Sequence, residues 1–263
     1  MDLSHMTIAE IKGLLDTLST KQRIELFSAL ERDNRTGVRN LAASCKAQLA
    51  REEAEIDRLA LMLKYESKLI AQGFNLVAGV DEVGRGALAG PIVAAAVILP
   101  HGCRLRGVRD SKTLTPERRE KLYGDITAEA VAWNVARVEN TDIDSFGIQW
   151  ANMKVLELAV RGLNPAPDYV LSDAFTIRTL EIPHVAIIKG DASSLSIAAA
   201  SIVAKVTRDR LMCDLHDEYP QYGFATHKGY GTPLHLTTLG QYGPTDLHRR
   251  CFSPVAEYEQ LTF

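Results

Sequence analysis

The chain has 263 residues, 46% of them apolar and 24% charged, and a formal net charge of −3 at pH 7. These values are typical of a globular protein with a substantial core. They exclude a disordered or low-complexity chain and binding of nucleic acid through an overall positive charge. Four widely spaced cysteines, an amino terminus without a signal-peptide pattern and the lack of any apolar run of about 18 residues predict a soluble, cytoplasmic protein with reduced thiols.

Residues 1–72 have helical periodicity and no strand-like alternation. Thr7 with Glu10, and Ser19 with Gln22, have the spacing of capping boxes that begin helices. A long amphipathic stretch then runs to Gly73, a residue type that commonly terminates a helix. We therefore predict a helical extension over residues 1–72, whose function the residues do not indicate, and a second domain over residues 73–263.

From residue 76 onward, short apolar runs alternate with helical patterns. The predicted strands are 76–80, 92–99, 131–138, 169–172 and 185–188, and the predicted helices are 116–129, 143–163, 193–219 and 233–241. This order is typical of an α/β domain with a mixed sheet covered by helices, followed by a C-terminal helical segment. Small side chains at 197–200 predict that the third of these helices packs closely on the sheet.

Four carboxylates follow predicted strands. Asp81 and Glu82 come after the first strand, Asp173 after the fourth, and Asp191 shortly after the fifth. If these strands are neighbours, the acids converge at one edge of the sheet. Oxygen ligands of this kind suit Mg²⁺ or Mn²⁺, and two such ions about 4 Å apart can stabilise both oxygens of a phosphoryl displacement.

Each aspartate taken alone is also typical of a loop cap. Asp209 lies mid-helix between two arginines, and we interpret it as one member of an intrahelical ion pair.

The glycine-rich bend at 84–90 (GRGALAG) is one residue away from a dinucleotide-binding fingerprint. A strand-like run follows it instead of a helix, which excludes that interpretation, and no phosphate-binding P-loop pattern occurs. Such a bend can bring main-chain N–H and C=O groups close to a ligand beside the acids.

Seven motifs, taken together and in this order, resemble ribonuclease HII. They are 80–86 (VDEVGRG), 110–112 (DSK), 172–174 (SDA), 189–191 (KGD), 198–209 (AAASIVAKVTRD), 227–232 (HKGYGT) and 248–250 (HRR). The resemblance covers residues 75–255. It implies a ribonuclease H-like mixed sheet flanked by helices and a type 2 catalytic domain. It also implies endonucleolytic cleavage of RNA in RNA–DNA hybrids, including cleavage 5′ of single ribonucleotides in duplex DNA.

The resemblance also implies roles for individual residues. Asp81, Glu82, Asp173 and Asp191 would be the metal-binding catalytic acids. Gly84, Arg85 and Gly86 would contact the 2′-hydroxyl of the ribonucleotide, and Tyr230 would stack on the adjacent deoxyribose. The chain departs from the family at Ala87, where proline is usual, and at Cys251, where serine is common; these departures affect loop rigidity rather than the proposed ligands.

Several basic side chains are candidates for phosphate contacts. They are Lys112, Lys189, Lys205, Lys228, Arg249 and Arg250. We interpret His227, His235 and His248 as structural, because their spacing matches no zinc site.

We expect hydrolysis with two Mg²⁺ or Mn²⁺ ions, carried out by a monomer on RNA–DNA hybrids and on DNA containing ribonucleotides, with no membrane partner. Two alternatives remain open: another nuclease of this fold, such as an exonuclease or resolvase, and a hybrid-binding module without catalytic activity.

Overall fold

The computed structural model describes residues 3–259. The chain divides into two compact units, Met1–Ala60 and Leu61–Phe263. Within the described residues, no helix has both the length and the apolar character needed to cross a membrane.

The first unit is helical, as predicted. Its helices are α1 (Ile8–Thr17), α2 (Thr20–Leu30) and α3 (Thr36–Met62). Both predicted capping boxes are confirmed, since the Thr7 and Ser19 side chains accept hydrogen bonds from the main-chain N–H groups of Glu10 and Gln22. A small apolar core packs these helices together, with Ile11 and Leu30 completely buried.

The second unit contains the remaining elements, and they follow the predicted order. The strands are β1 (Val77–Val83), β2 (Ile92–Ile98), β3 (Ala132–Val138), β4 (Tyr169–Asp173) and β5 (His184–Ile187). The helices are α4 (Lys64–Ala71), α5 (Pro116–Glu129), α6 (Asn140–Phe146), α7 (Ile148–Arg161), α8 (Gly190–Ser193), α9 (Leu195–Glu218), α10 (Phe224–His227), α11 (Pro233–Tyr242) and α12 (Ser253–Glu259).

The five strands form one mixed sheet in the order β3-β2-β1-β4-β5. β1 pairs antiparallel with β2 and parallel with β4, and β4 pairs parallel with β5. Alternate residues of β1 and β2 pack against α7 on one face, while α9 covers the other face. The predicted sheet flanked by helices, with a C-terminal helical segment, is confirmed.

The close approach of α9 to the sheet depends on Gly79. A Cβ atom at this position would lie 2.1 Å from the carbonyl carbon of Ser196 and 2.3 Å from the main-chain nitrogen of Ile197. Glu66 of α4 fixes the start of the same helix, because its Oε1 accepts hydrogen bonds from Ser194 Oγ at 2.7 Å and Ser196 N at 3.0 Å. The small residues predicted to pack closely on the sheet, Ala198, Ala199 and Ala200, are completely buried where α9 covers it.

Besides shifts of a residue or two at other ends, three of the predicted elements differ from the structure in ways that matter for the site or the helices. The helix predicted over 143–163 is two helices, because Gly147 has φ +83° and cannot continue the helical backbone. The helix predicted to begin at residue 193 begins at Leu195, where the Ser194 side chain caps it. β1 runs to Val83, so Asp81 and Glu82 lie inside the strand rather than after it.

Candidate active site

Asp81 and Asp173 lie side by side at the carboxyl end of the sheet. β1 and β4 are parallel neighbours, and Val80 is in register with Ser172, so the next residue on each strand is an aspartate. Glu82 follows Asp81 directly. The condition set by the sequence, that the strands carrying these acids are neighbours, is therefore met.

Asp191 reaches the same edge through the short helix α8. The main-chain N–H of Gly190 donates a hydrogen bond to Oδ1 of Asp173 at 2.7 Å, which joins the start of α8 to β4. Lys189, just before it, adopts a left-handed conformation (φ +56°) that makes the turn. Asp191 is buried beside this contact. The structure thus brings all four predicted acids to one place.

Three of these carboxylates, Asp81, Glu82 and Asp191, have a raised affinity for protons. Burial raises the pKa of Asp81 well above its usual value, and the charges of Glu82 and Asp173 raise it further. Burial and the Asp173 charge raise the pKa of Glu82 to about 7. The pKa of Asp191 is also raised, mainly by burial and secondly by the charge of Asp173. Like charges held together in this way need a positive partner.

Polar and basic neighbours offset part of this repulsion. The Ser201 hydroxyl on α9 hydrogen-bonds the Asp81 carboxylate and lowers its pKa, and Ser201 Oγ lies 2.8 Å from Ser111 Oγ. Lys112 favours the charged forms of both Glu82 and Asp191. The basic side chain of the 110–112 segment therefore lies within electrostatic reach of the acids.

Three residues of this environment received no role from the sequence. Asp110 raises the pKa of Asp191, and Ser111 and Ser201 form the hydroxyl pair behind Asp81. Asp110 follows no strand, so the rule that located the other acids does not apply to it. Ser201 directly follows the small-residue run 197–200 of α9, where the sequence indicates packing instead of chemistry.

The donor chemistry of the site fits a hard divalent cation. Oε2 of Glu82 is buried and has no hydrogen-bond partner within the described residues, 3–259, and the surrounding acids supply oxygen donors only. Among residues 3–259, no group of three or more His, Cys, Asp or Glu side chains adopts an arrangement that could hold an ion. Asp81 Oδ1 instead accepts from the Glu82 N–H at 2.8 Å. Binding of an ion would therefore require these carboxylates to turn toward it.

The glycine loop, residues 84–91, runs beside the acids and is tied to the segment that carries Tyr230. The carbonyl of Gly229 accepts hydrogen bonds from Leu88 N at 2.8 Å and Ala89 N at 3.3 Å. Gly84 has φ +89°, and a Cβ there would lie 2.2 Å from Arg208 Nε, so the position requires glycine. The predicted loop and Tyr230 are thus parts of one assembly.

Arg85 and Gly86, at the tip of this loop, are exposed. The Arg85 guanidinium lies 4.9 Å from the centre of the Phe175 ring, just beyond Asp173 on the chain, and its charge lowers the pKa of Glu82. The tip therefore lies against the acid cluster.

The candidate phosphate contacts differ in their accessibility. Lys112 and Lys189 are exposed beside the acids. Lys205 is largely covered and pairs with Asp209 at 2.8 Å, which confirms the intrahelical ion pair. Arg250 lies 3.7 Å from Asp246.

The other two candidates, Lys228 and Arg249, are also engaged with protein atoms. Lys228 donates to Cys213 Sγ at 3.1 Å. The expectation for Arg249 was wrong: its side chain is completely buried and donates to the main-chain carbonyls of Gly90 and Arg85, so it cannot reach a phosphate at the surface.

His235 and His248 form a buried, neutral pair behind Tyr230. Nδ1 of His235 donates to the Tyr230 carbonyl at 3.0 Å, and Nδ1 of His248 accepts from Thr245 N at 2.9 Å. The remaining contact, Nε2 to Nε2 at 3.0 Å, is then a hydrogen bond from His248 to His235. Each ring carries one proton and all four nitrogens have partners.

We expect neither histidine to titrate above pH 5. Burial, the largest cause, lowers the pKa of His235 to about 4 and that of His248 to about 3. Because both folded values lie below the unfolded value, stability from these groups is lost as pH falls from 6.5 toward 4, by about 1.4 kcal/mol per pH unit per histidine. NMR titration of the ring protons and urea unfolding at pH 7 and 5 check this; ring protons that titrate near pH 6.5 would contradict it.

The family models and the curated relatives that match this chain all belong to one family. A family model described as Ribonuclease HII matches residues 78–255, and one described as Ribonuclease HII N-terminal domain matches residues 7–70. The chain is 48% identical over 255 residues to a ribonuclease HII from Geobacillus thermodenitrificans (strain NG80-2), covering 97% of this chain and 98% of the relative. It is 46% identical to a ribonuclease HII from Myxococcus xanthus (strain DK1622), covering 97% and 87%.

The fold has a solved counterpart. The crystal structure of the ribonuclease H2 from Pyrococcus horikoshii OT3 is similar to this chain with a TM-score of 0.62 at 31% identity, covering 70% of this chain and 97% of the other.

Proposed function

The chain belongs to the ribonuclease HII family and is an endonuclease that leaves 5′-phosphates; on this premise we propose that it cleaves RNA in RNA–DNA hybrids and nicks duplex DNA on the 5′ side of single ribonucleotides. The single observation that carries the proposal is the meeting of four carboxylates beside the glycine loop, whose exposed tip, Arg85 and Gly86, is tied to the Tyr230 segment. This arrangement combines a phosphate-hydrolysing centre with groups able to contact a sugar.

In this proposal Asp81, Glu82, Asp173 and Asp191 hold the divalent cations on which the family depends, Mg²⁺ or Mn²⁺ in a two-ion site. Cations bound there would favour ionisation of a water and stabilise the leaving 3′-oxygen. The protein's part is to keep the carboxylates in place. Ser201 orients Asp81 through its hydroxyl, and the Gly190 N–H holds Oδ1 of Asp173.

The substrate contacts in this proposal come from two sources. Gly84, Arg85 and Gly86 contact the ribose 2′-hydroxyl, the group that separates RNA from DNA. Tyr230, half-buried and joined to the loop through Gly229, stacks on the following sugar. Lys112 and Lys189, both exposed, contact phosphates and supply affinity without sequence preference.

We further propose that residues 1–72 are an accessory extension and that residues 73–263 form the catalytic domain, acting as a monomer. The extension has its own helical core, which supports folding as a distinct segment. Its contribution to activity is a matter for deletion experiments.

The decisive test uses an end-labelled DNA duplex with one internal ribonucleotide. We expect a single nick on the 5′ side of the ribonucleotide in Mg²⁺ or Mn²⁺, with 3′-hydroxyl and 5′-phosphate ends, and no cleavage in excess EDTA. An all-DNA duplex of the same sequence is the control and should stay intact. Trimming from the ends would instead indicate another nuclease of this fold, and binding without turnover would indicate a hybrid-binding module.

A further inference from the structure

Two arginines are completely buried beneath the glycine loop: Arg208 of α9, and Arg249, which precedes α12. Neither guanidinium forms an ion pair with a carboxylate in the described part of the chain. Asp209, next to Arg208 on the helix, pairs with Lys205 instead. A buried charge without a partner is strongly destabilising, so the contacts that replace the missing carboxylates indicate what the arginines do.

Arg249 binds main-chain carbonyls of the loop. Its Nε and Nη2 donate to the Gly90 carbonyl at 3.0 and 2.9 Å, and its Nη1 donates to the Arg85 carbonyl at 2.8 Å. Arginine suits this task because its planar fork presents several donors at once, whereas lysine is a single point of charge.

The contact with the Arg85 carbonyl determines the orientation of the next N–H group. In a trans peptide, the C=O and N–H bonds point in opposite directions. Since the Arg85 carbonyl points inward to Arg249, the N–H of Gly86 points outward. Gly86 is exposed, and within residues 3–259 its N–H has no protein acceptor. Arg249 therefore turns an unused donor toward the side where the substrate would lie.

Arg208 connects the base of the loop to the Tyr230 segment. Its Nε and Nη2 donate to the carbonyls of Pro91 at 3.0 Å and Ala89 at 3.2 Å, and its Nη1 donates to the Lys228 carbonyl at 2.8 Å. Its guanidinium carbon also lies 5.5 Å from the centre of the Tyr230 ring. One side chain thus sets the distance between the loop and the tyrosine.

We propose that Arg208 and Arg249 are positioning residues that set the substrate-reading surface before substrate binds: Arg249 aims the Gly86 N–H at the ribose, and Arg208 holds Tyr230 at a fixed distance from it. The inference deepens the proposed function and rests on it. Arg249 acts through main-chain groups, and Arg208 acts through main-chain groups and the Tyr230 ring; in this proposal neither touches the substrate or the acids.

The test compares Arg249→Lys and Arg208→Lys with Arg210→Lys. Arg210 is on the same helix as Arg208 but is half-exposed and pairs with Glu120, so its variant should behave like the unaltered protein. For Arg249→Lys and Arg208→Lys, we expect the single-turnover rate of cleavage at one ribonucleotide to fall by about 10²-fold, the usual cost of a small misplacement of the substrate. The affinity of these variants for an all-DNA duplex should change by less than about threefold. Any preference in binding for the ribonucleotide-containing duplex should be lost. Binding is measured in Ca²⁺ by fluorescence anisotropy.

Unchanged cleavage by folded Arg249→Lys protein, or equal loss of affinity for both duplexes, would overturn the inference while leaving the proposed function in place. An unaltered protein that nicks neither duplex would instead refute the proposed function, and this inference with it.

A second measurement needs no variant. In ¹⁵N relaxation of the unaltered, substrate-free protein, we expect the Gly86 amide to be as ordered as the helices, with an order parameter of about 0.85, whereas a value below about 0.6 would overturn the inference.

Discussion

We expect the Asp173→Asn protein to lose cleavage by at least about 10²–10³-fold, the scale of removing one preorganised electrostatic group from an active site. Asn keeps the size of the side chain and can still accept from the Gly190 N–H, so the turn into α8 should survive. What it removes is the charge between Asp81, Glu82 and Asp191. The measurement is the rate of nicking at a single ribonucleotide, together with hybrid affinity in Ca²⁺, which should change far less than the rate.

The Asp81→Asn protein should show the same loss of activity with a distinct effect on stability. Without metal, Asp81 is buried and repelled by Glu82 and Asp173, and these effects raise its pKa. A neutral side chain relieves that repulsion, so the metal-free variant should unfold at the same or a higher temperature than the unaltered protein.

Asp209→Asn is the matched control for both substitutions. Asp209 is likewise largely buried, but it pairs with Lys205 on α9 and lies outside the acid cluster. Its variant should keep full cleavage. Full activity in the Asp173→Asn protein would show that the Asp173 carboxylate is not needed for catalysis.

The largest effect on stability is expected for Gly79→Ala. The added methyl group would lie within 2.5 Å of three main-chain atoms of Ser196 and Ile197, and main-chain atoms of a packed helix cannot move aside as a flexible side chain can. We expect α9 to be displaced from the sheet and the free energy of unfolding to fall by about 1–3 kcal/mol or more. Cleavage should also fall, because α9 carries Ser201 against Asp81.

Gly124→Ala provides the control for this prediction. Gly124 lies inside α5, and a Cβ there would meet no atom within 4 Å. Alanine is favoured over glycine in a helix by up to about 1 kcal/mol, so this variant should be slightly more stable. Thermal unfolding of the Gly79→Ala and Gly124→Ala proteins measures the difference, and we expect the Gly79→Ala protein to unfold at the lower temperature. Equal unfolding midpoints would show that the contact between α9 and β1 can relax.

The position of the four acids was predictable because their physical signal is local. A carboxylate at the end of an apolar strand is conspicuous, and the carboxyl ends of neighbouring parallel strands meet. The sequence left the pairing of β1 with β4 as a condition, and the register of Val80 with Ser172 fulfils it. The position of Asp191 also depended on a turn that only the left-handed conformation of Lys189 explains.

Other features were beyond local reasoning. Arginine is among the residue types least often buried, so the sequence placed Arg249 on the surface. Its actual position depends on the carbonyl groups of residues 85 and 90. The pattern of apolar and polar residues in a sequence does not predict the direction of a main-chain carbonyl. The break at Gly147 was missed for a different reason, since the apolar pattern continues on both sides of it and only the backbone angle reveals the interruption.

The long-range origin of the glycine loop's supports has a consequence for synthesis of the protein. Asp81 and Glu82 leave the ribosome early, but their parallel partner strand, α9 and finally Arg249 are translated much later. Contacts between distant parts of a chain form only after both parts are available. We therefore expect nascent chains that stop before Arg249 to have no nuclease activity, so that a half-made enzyme poses no danger to nearby nucleic acid.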